Sequence, residues 1–150
     1  MQELFALETL AHVDTLCLDK TGTLTQGKMQ VEQVCITDLG HSMPFEALIG
    51  SFLQFSEDNN ATNQALKAYF KGNTAFLPTR IIPFSSERKW CAMEFERVGT
   101  FVVGAPERLG ADALEECLQR DMLDGKRILM AGITQDPVFP ERPLTNVRQL

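Results

Sequence analysis

The sequence lacks the features that mark several common classes of protein. Its 150 residues contain no run of Lys and Arg long enough to suggest a nucleic-acid groove or an anionic membrane surface, and the net charge is -6. No Cys-x-x-Cys pair occurs, and the cysteines stand far apart in apolar stretches, as expected of buried thiols in a reducing cytosol; they are Cys17, Cys35, Cys91 and Cys117. Metal ligation or a disulfide framework is the less favoured alternative.

Long apolar runs are also missing. No window approaches the ~18 to 20 apolar residues that cross a bilayer, and the first residues lack a basic segment followed by an apolar one. With 44% hydrophobic and 23% charged residues, the chain has the composition and the length of about one globular domain. The sequence taken alone therefore predicts a soluble, folded chain.

Apolar residues recur at helical spacing in several parts of the chain, and prolines and glycines stand where helices begin and end. The predicted helices are residues 2–10, a helix beginning at Pro44, residues 61–71, a helix beginning at Pro106, and the first turns of a helix in residues 145–150.

Other segments have the composition of strands. The predicted strands are residues 13–18, 80–84, 89–96, 100–104 and 127–133, and residues 28–37 have a β-like composition with imperfect alternation. A turn at Val98 and Gly99 joins the third and fourth strands into a hairpin. Residues 89–96 alternate between the two faces of the predicted sheet. One face carries Cys91, Met93 and Phe95, and the other carries Trp90, Ala92, Glu94 and Glu96. We therefore predict an α+β fold, an antiparallel sheet flanked by helices.

One phosphate-binding motif is nearly present. Residues 22–29, "GTLTQGKM", follow the P-loop pattern up to the last position, where Met29 replaces the hydroxyl that holds Mg²⁺. A P-loop also needs a helix directly after its lysine, because the helix N-terminus supplies the anion site. The β-like composition that follows Lys28 argues against this reading.

Asp19 is the most prominent candidate for chemistry. It ends the apolar run of residues 13–18, and a carboxylate at the end of a strand in an open α/β sheet faces the crevice where such sheets bind ligands. An aspartate can attack phosphorus, and the neighbouring Thr21, Gly22 and Thr23 offer hydroxyls and exposed backbone amides. Because two anions at ~4 Å repel by roughly 4 kcal/mol at an effective dielectric of 20, a divalent cation is implied between the carboxylate and a triphosphate. The structural alternative is an Asp that caps a turn.

The string "DKTGTLT", residues 19–25, resembles the phosphorylation motif of the P-type ATPases, membrane pumps whose catalytic aspartate is phosphorylated by ATP. The resemblance implies that Asp19 is the phosphoryl acceptor and that Asp19 and the Thr21 carbonyl hold Mg²⁺. It also implies that residues 1–25 begin a haloacid-dehalogenase-like phosphorylation domain, that residues 26–133 form an inserted nucleotide-binding domain, and that residues 134–150 are a linker that returns to the first.

Further resemblances to the same family fall within the inserted body. "PFSSERK" resembles the segment that stacks a Phe on adenine and lines the pocket with a Lys, which implies these roles for Phe84 and Lys89. "VGAPE" resembles a family signature whose glycine, here Gly104, lets the ligand approach the backbone closely. "GKRILMAG" resembles a later family segment whose arginine, here Arg127, contacts the phosphates. "NATNQAL" places Asn63 where many ion pumps carry an acid that bonds to adenine.

Two positions depart from the family pattern. Val103 replaces the usual Lys of the "VGAPE" signature, and Asn63 replaces the acid, although an amide can still hydrogen-bond adenine. Loss of a charged hydrogen bond weakens binding by about 1.5 to 3 kcal/mol, so we expect weak ATP binding. We also expect Val103→Lys to leave the fold intact and to tighten ATP binding.

The family's later Thr-Gly-Asp and Gly-Asp-Gly-x-x-Asn-Asp segments, which supply Mg²⁺-binding acids, do not occur in these 150 residues. We therefore expect the chain to be a soluble fragment that binds ATP without turnover. The resemblance implies an integral membrane parent with this part on the cytoplasmic face, and as partners the rest of the phosphorylation domain, the actuator domain and a transported cation, with a weak preference for Ca²⁺ or another hard cation. The alternatives are a fragment of a haloacid-dehalogenase-type phosphatase, which usually carries Asp-x-Asp where this chain has Thr21, and a stand-alone nucleotide-binding module.

Overall fold

The computed structural model describes residues 29–36, 45–71, 76–110 and 121–150, and the structural statements below concern these residues. The predicted helix at 2–10, the predicted strand at 13–18 and the predicted site residues Asp19 and Thr21 lie outside them. No helix in the described ranges is long and apolar enough to span a bilayer.

Five strands form one sheet in which neighbours along the chain are neighbours in space and every pair is antiparallel. The strands are β1 (Pro78–Ser85), β2 (Trp90–Phe95), β3 (Gly99–Gly104), β4 (Met130–Thr134) and β5 (Arg148–Gln149). The helices are α1 (Phe45–Phe55) and α2 (Ala61–Tyr69), residues 121–123 are also helical, and a short 3₁₀ turn covers Pro106–Arg108. The prediction of an α+β fold with an antiparallel sheet and helices is confirmed.

The hairpin of β2 and β3 follows the alternation of the sequence. Trp90 pairs with Gly104 and Phe95 pairs with Gly99, whose positive φ of 104° makes the turn that only glycine adopts readily. The first predicted set of β2 side chains, Cys91, Met93 and Phe95, packs towards α1, whereas Trp90 and Ala92 pack on the opposite face. The predicted division of the two sets is therefore confirmed for the buried members.

Each face of the sheet carries its own apolar cluster. On the first face, four α1 side chains at helical spacing pack against the strands; they are Leu48, Ile49, Phe52 and Leu53. The rings of Phe52 and Phe101 meet edge to face with centroids 5.6 Å apart. On the second face, Trp90 and Val102 are covered by Leu109 and by Val138 of the C-terminal segment. The core thus lies on both sides of β2 and β3.

Several sequence predictions differ from the structure. The predicted helix at Pro106 begins as a 3₁₀ turn that ends at Arg108, and the chain turns at Gly110, whose φ is 82°. The thiol of Cys35, predicted to be buried, is exposed because the segment around it does not pack into the sheet.

The segments at residues 29–36 and 145–150 also differ from the predictions. Residues 29–36 carry no regular secondary structure, so the β-like composition did not produce a strand there. Residues 145–150 do not begin a helix, because Arg148 and Gln149 pair with Ile133 and Gly132 of β4 and the Leu150 amide donates to the Ala131 carbonyl at 3.1 Å. Backbone pairing with an open sheet edge thus overrides the local helical preference of "TNVRQL".

Candidate functional site

Phe84 lies on β1, which is an edge strand of the sheet. The register of β1 against β2 shifts between Ile82, which pairs with Ala92, and Ser85, which pairs with Trp90, so Phe84 lies within an irregularity of the strand. Its side chain is 47% exposed. An exposed aromatic face of this kind can stack on a nucleobase, whereas a buried core ring could not.

Lys89 ends the loop between β1 and β2 and is held there by its backbone. Its φ is 60°, its amide donates to the Ser85 carbonyl at 2.7 Å, and its carbonyl accepts from the Ala105 amide at 2.9 Å. Its Nζ lies 3.0 Å from Oε1 of Glu107, with both side chains about half exposed. The predicted pocket lysine is therefore accessible and already paired with an acid.

Gly104 ends β3 opposite Trp90. A Cβ at this position would lie 2.5 Å from the Trp90 Cβ and 2.7 Å from the Lys89 carbonyl oxygen. Close packing of two neighbouring strands therefore accounts for glycine here, and the approach of a ligand to this backbone stays a prediction.

Arg127 precedes β4, which begins at Met130 and not at the predicted residue 127. Its Nη1 donates to Oγ1 of Thr62 at 2.8 Å, and that hydroxyl lies 3.5 Å from Sδ of Met29, to which it donates. Arg127 is exposed. The contact places the predicted phosphate-binding arginine beside the first turn of α2.

Asn63 lies in that same first turn and is only 7% exposed. Its backbone amide donates to Oδ1 of Asn60, the residue that caps α2, at 2.9 Å, and its Nδ2 donates to Oγ of Ser56 at 2.6 Å. Its Oδ1 is buried and has no hydrogen-bond partner. A buried carbonyl oxygen without a donor is costly, and an adenine amino group is a donor of the kind that would satisfy it. Because this oxygen is closed off from solvent, adenine would reach it only after the Asn63 side chain moves, and the contact stays a prediction.

Val103 belongs to the apolar cluster under α1 and is 7% exposed. It pairs with Cys91, whose Sγ lies 3.5 Å from the Val103 carbonyl. Burial raises the pKa of the Cys91 thiol to about 12, with a smaller contribution from the Asp58 carboxylate, while Arg88 acts in the opposite direction. The surroundings of Val103 are therefore those of a core residue.

Four of the predicted site residues in the described ranges form two pairs, and Phe84 lies separately on β1. Lys89 directly precedes β2, and Gly104 ends β3 beside it. Asn63 follows Thr62 in the chain, and Arg127 donates a hydrogen bond to the Thr62 hydroxyl.

Two contacts were missed by reasoning from the sequence. Glu107 is the last residue of the quoted "VGAPE", so its position was visible, but its pairing with Lys89 depends on the β2–β3 pairing. Thr62 stands next to Asn63, yet its contact with Arg127 joins residues 65 positions apart. No local pattern carries that information.

An open cavity in the described part of the chain lies away from these residues. It has a volume of about 300 Å³ and is lined by the C-terminal residues Asp136, Pro137, Phe139, Arg142, Pro143 and Thr145. None of the predicted nucleotide residues lines it, so the prediction rests on individual contacts and not on a deep pocket. In the described ranges no cluster of three or more His, Cys, Asp or Glu residues could hold a metal ion.

Comparison with known proteins relates nearly the whole chain to transport ATPases. The chain is 43% identical over 145 residues to a protein of Streptococcus pneumoniae named as a probable cation-transporting ATPase, with 95% of this chain and 18% of that protein covered. It is 32% identical over 149 residues to the calcium-transporting ATPase CtpE of Mycolicibacterium smegmatis, with the same shares covered. It is 29% identical over 138 residues to a probable cation-transporting ATPase of Haemophilus influenzae, covering 89% of this chain.

The chain thus spans about 18% of the length of these relatives. No family model and no solved structure matches it.

Proposed function

We propose that the chain is a segment of a P-type cation-transporting ATPase, and that this segment binds ATP and presents its γ-phosphate to Asp19. The observation that carries the proposal is the extent of the similarity. The aligned region covers 95% of the chain, so only about 8 of the 150 residues lie outside it. Because 18 residues precede Asp19, the aligned region includes Asp19 even if all of the unaligned residues are at the N-terminus. The "DKTGTLT" motif and the α+β body therefore belong to one stretch of homology.

The chemistry of the described residues fits a nucleotide. The half-exposed ring of Phe84 offers a stacking surface for adenine. The Oδ1 of Asn63, which has no partner, would accept a hydrogen bond from the adenine amino group once the side chain turns out of its buried position. Lys89 and Arg127 supply two accessible positive charges for phosphate oxygens. Mg²⁺, held by Asp19 and the Thr21 carbonyl, would reduce the repulsion between the carboxylate and the triphosphate.

In the whole pump, a carboxylate oxygen of Asp19 would form a bond to the γ-phosphorus as the bond from that phosphorus to the β–γ bridging oxygen breaks, so that ADP leaves and an acyl phosphate remains. The energy of this aspartyl phosphate would drive a cation across the membrane. We propose a hard cation such as Ca²⁺, because one relative is named as a calcium transporter. The segment would lie on the cytoplasmic face and contact the rest of the phosphorylation domain and the actuator domain. Within its own 150 residues we propose ATP binding without turnover.

Isothermal titration of the 150-residue chain with ATP, with and without Mg²⁺, tests the proposal. Phe84→Ala should weaken binding by about 5- to 150-fold, since base stacking contributes roughly 1 to 3 kcal/mol. The matched control is Phe139→Ala, which removes a ring that is 43% exposed but lies in the C-terminal cavity. Equal affinities of wild type and Phe84→Ala would contradict the assignment of the site, and sustained Asp19-dependent hydrolysis would contradict binding without turnover.

A further inference from the structure

We propose that Glu107 limits the affinity of the ATP site by competing with phosphate for Lys89, an inference that rests on the function proposed above. Oε1 of Glu107 accepts a hydrogen bond from Nζ of Lys89 at 3.0 Å. The two side chains are 52% and 54% exposed, so a ligand can reach the pair from solvent. A phosphate that approaches Lys89 therefore meets a carboxylate on the same ammonium group.

The backbone holds the two residues in register for this contact. The Lys89 carbonyl accepts a hydrogen bond from the amide of Ala105 at 2.9 Å, and the carbonyl of Ala105 accepts from the amide of Arg108 at 2.9 Å. Glu107 lies between these two residues in the 3₁₀ turn Pro106–Arg108. The segment that carries the acid is thus joined directly to the residue that carries the cation, which reduces the entropy lost when the pair forms.

Glu107 is negatively charged at neutral pH. A hydrogen bond from its own backbone amide and then the Lys89 ammonium lower the pKa of its carboxyl below the usual value. Phosphate oxygens carry the same sign of charge. A bound nucleotide must therefore displace Glu107 from Lys89 or leave two anions beside one ammonium, and either outcome weakens binding.

If Glu107 competes with phosphate, its effect on binding should depend on the phosphates of the ligand and not on the base. Removing the charge of Glu107 should tighten binding of ATP and leave binding of adenosine unchanged, because adenosine carries no phosphate to compete. Since the ion pair is exposed, its effect on ATP affinity should be about two- to fivefold. When Lys89 is also replaced, Glu107 and phosphate no longer share a cation, so the gain in ATP affinity should vanish.

The experiment is a titration of the 150-residue chain with ATP and with adenosine, using Glu107→Gln, Lys89→Met and the double variant. Glu96→Gln is the matched control, because it removes one exposed acid at the opposite end of β2. Amide NMR spectra compare the folds, and Glu107→Ala provides a second removal of the charge.

We expect a lower Kd for ATP in Glu107→Gln, no change in Glu96→Gln, and equal Kd values for Lys89→Met and the double variant. Detectable ATP binding that both Glu107 variants leave unchanged or weaken would overturn this inference alone. A tightening that persists in the double variant would also overturn it, because Lys89 would then not be the shared partner. Failure of the wild type and all variants to bind ATP would overturn the proposed function and the inference together.

Discussion

A Cβ on Gly104 would lie 2.5 Å from the Cβ of Trp90, its partner in the neighbouring strand. The Lys89 carbonyl oxygen would lie only 2.7 Å away. The third near atom is the Trp90 Cα at 2.8 Å, and two of the three atoms are backbone, so the neighbouring strand cannot move aside by a change of rotamer. The glycine of the "VGAPE" segment is therefore required by the sheet whether or not a ligand is bound.

We predict that Gly104→Ala lowers the free energy of unfolding by about 1 to 3 kcal/mol, the usual cost of forcing extra volume into a packed site. Chemical denaturation without nucleotide measures it. Gly110→Ala is the control, because a Cβ there meets no atom of the described residues within 4 Å, and its positive φ of 82° is the unfavourable feature that these residues show. A Gly104→Ala variant as stable as wild type would show that the glycine is present for the ligand alone.

Burial of Val103 changes the expected result of Val103→Lys. From the sequence we expect an intact fold and tighter ATP binding, but the side chain lies in the α1 cluster with 7% exposure. An ammonium placed there loses its hydration, so we predict a loss of stability of at least about 2 kcal/mol. Thermal unfolding compares it with Val103→Met, which keeps the site apolar. A Val103→Lys variant with wild-type stability would show that the lysine reaches solvent.

Cys91 and Cys35 should differ sharply towards thiol reagents. Cys35 is exposed, whereas burial raises the pKa of Cys91 to about 12 and keeps it protonated in the folded chain. Peptide mapping after alkylation near pH 8 should therefore find Cys35 modified and Cys91 protected until denaturant is added. Rapid modification of folded Cys91 would contradict its burial.

The same pKa predicts a dependence of stability on alkaline pH. The unfolded thiol loses its proton near 9.0 and the folded one near 12. The unfolded state therefore binds fewer protons between these values, and the free energy of unfolding falls as pH rises through them. Cys91→Ala should show a shallower fall than wild type in denaturation curves over this range. Parallel curves would contradict the assignment.

Asp136 should hold the C-terminal segment against the sheet. Its Oδ2 accepts hydrogen bonds from Thr145 Oγ1 at 2.7 Å and from Asn146 Nδ2 at 2.8 Å, and these bonds lower the pKa of its carboxyl. Their contribution is present above the usual carboxyl pKa and is lost as pH falls through the lowered value. We predict faster hydrogen exchange of the Leu150 amide in Asp136→Ala than in wild type at neutral pH. Glu141→Ala is the control, and its Leu150 amide should exchange at the wild-type rate. Unchanged exchange in Asp136→Ala would contradict this role.

Several elements could be predicted because local signals agreed with the final packing. The apolar spacing from Phe45 to Leu53 led to α1, and the alternation in residues 89–96 led to β2 with the correct faces. Gly99 marked the hairpin turn. The site was predicted only through short motifs, and Asp19 and Thr21 lie outside the described residues.

The sequence by itself determined the α+β character, the β2–β3 hairpin and the relationship to cation-transporting ATPases, because side-chain periodicity and short motifs are local properties. Only the tertiary structure decided that residues 148–149 complete the sheet and that Val103 is buried in the core. It also decided that Lys89 is paired with Glu107 and Arg127 with Thr62. These outcomes depend on backbone pairing and packing between distant segments, which no local window contains.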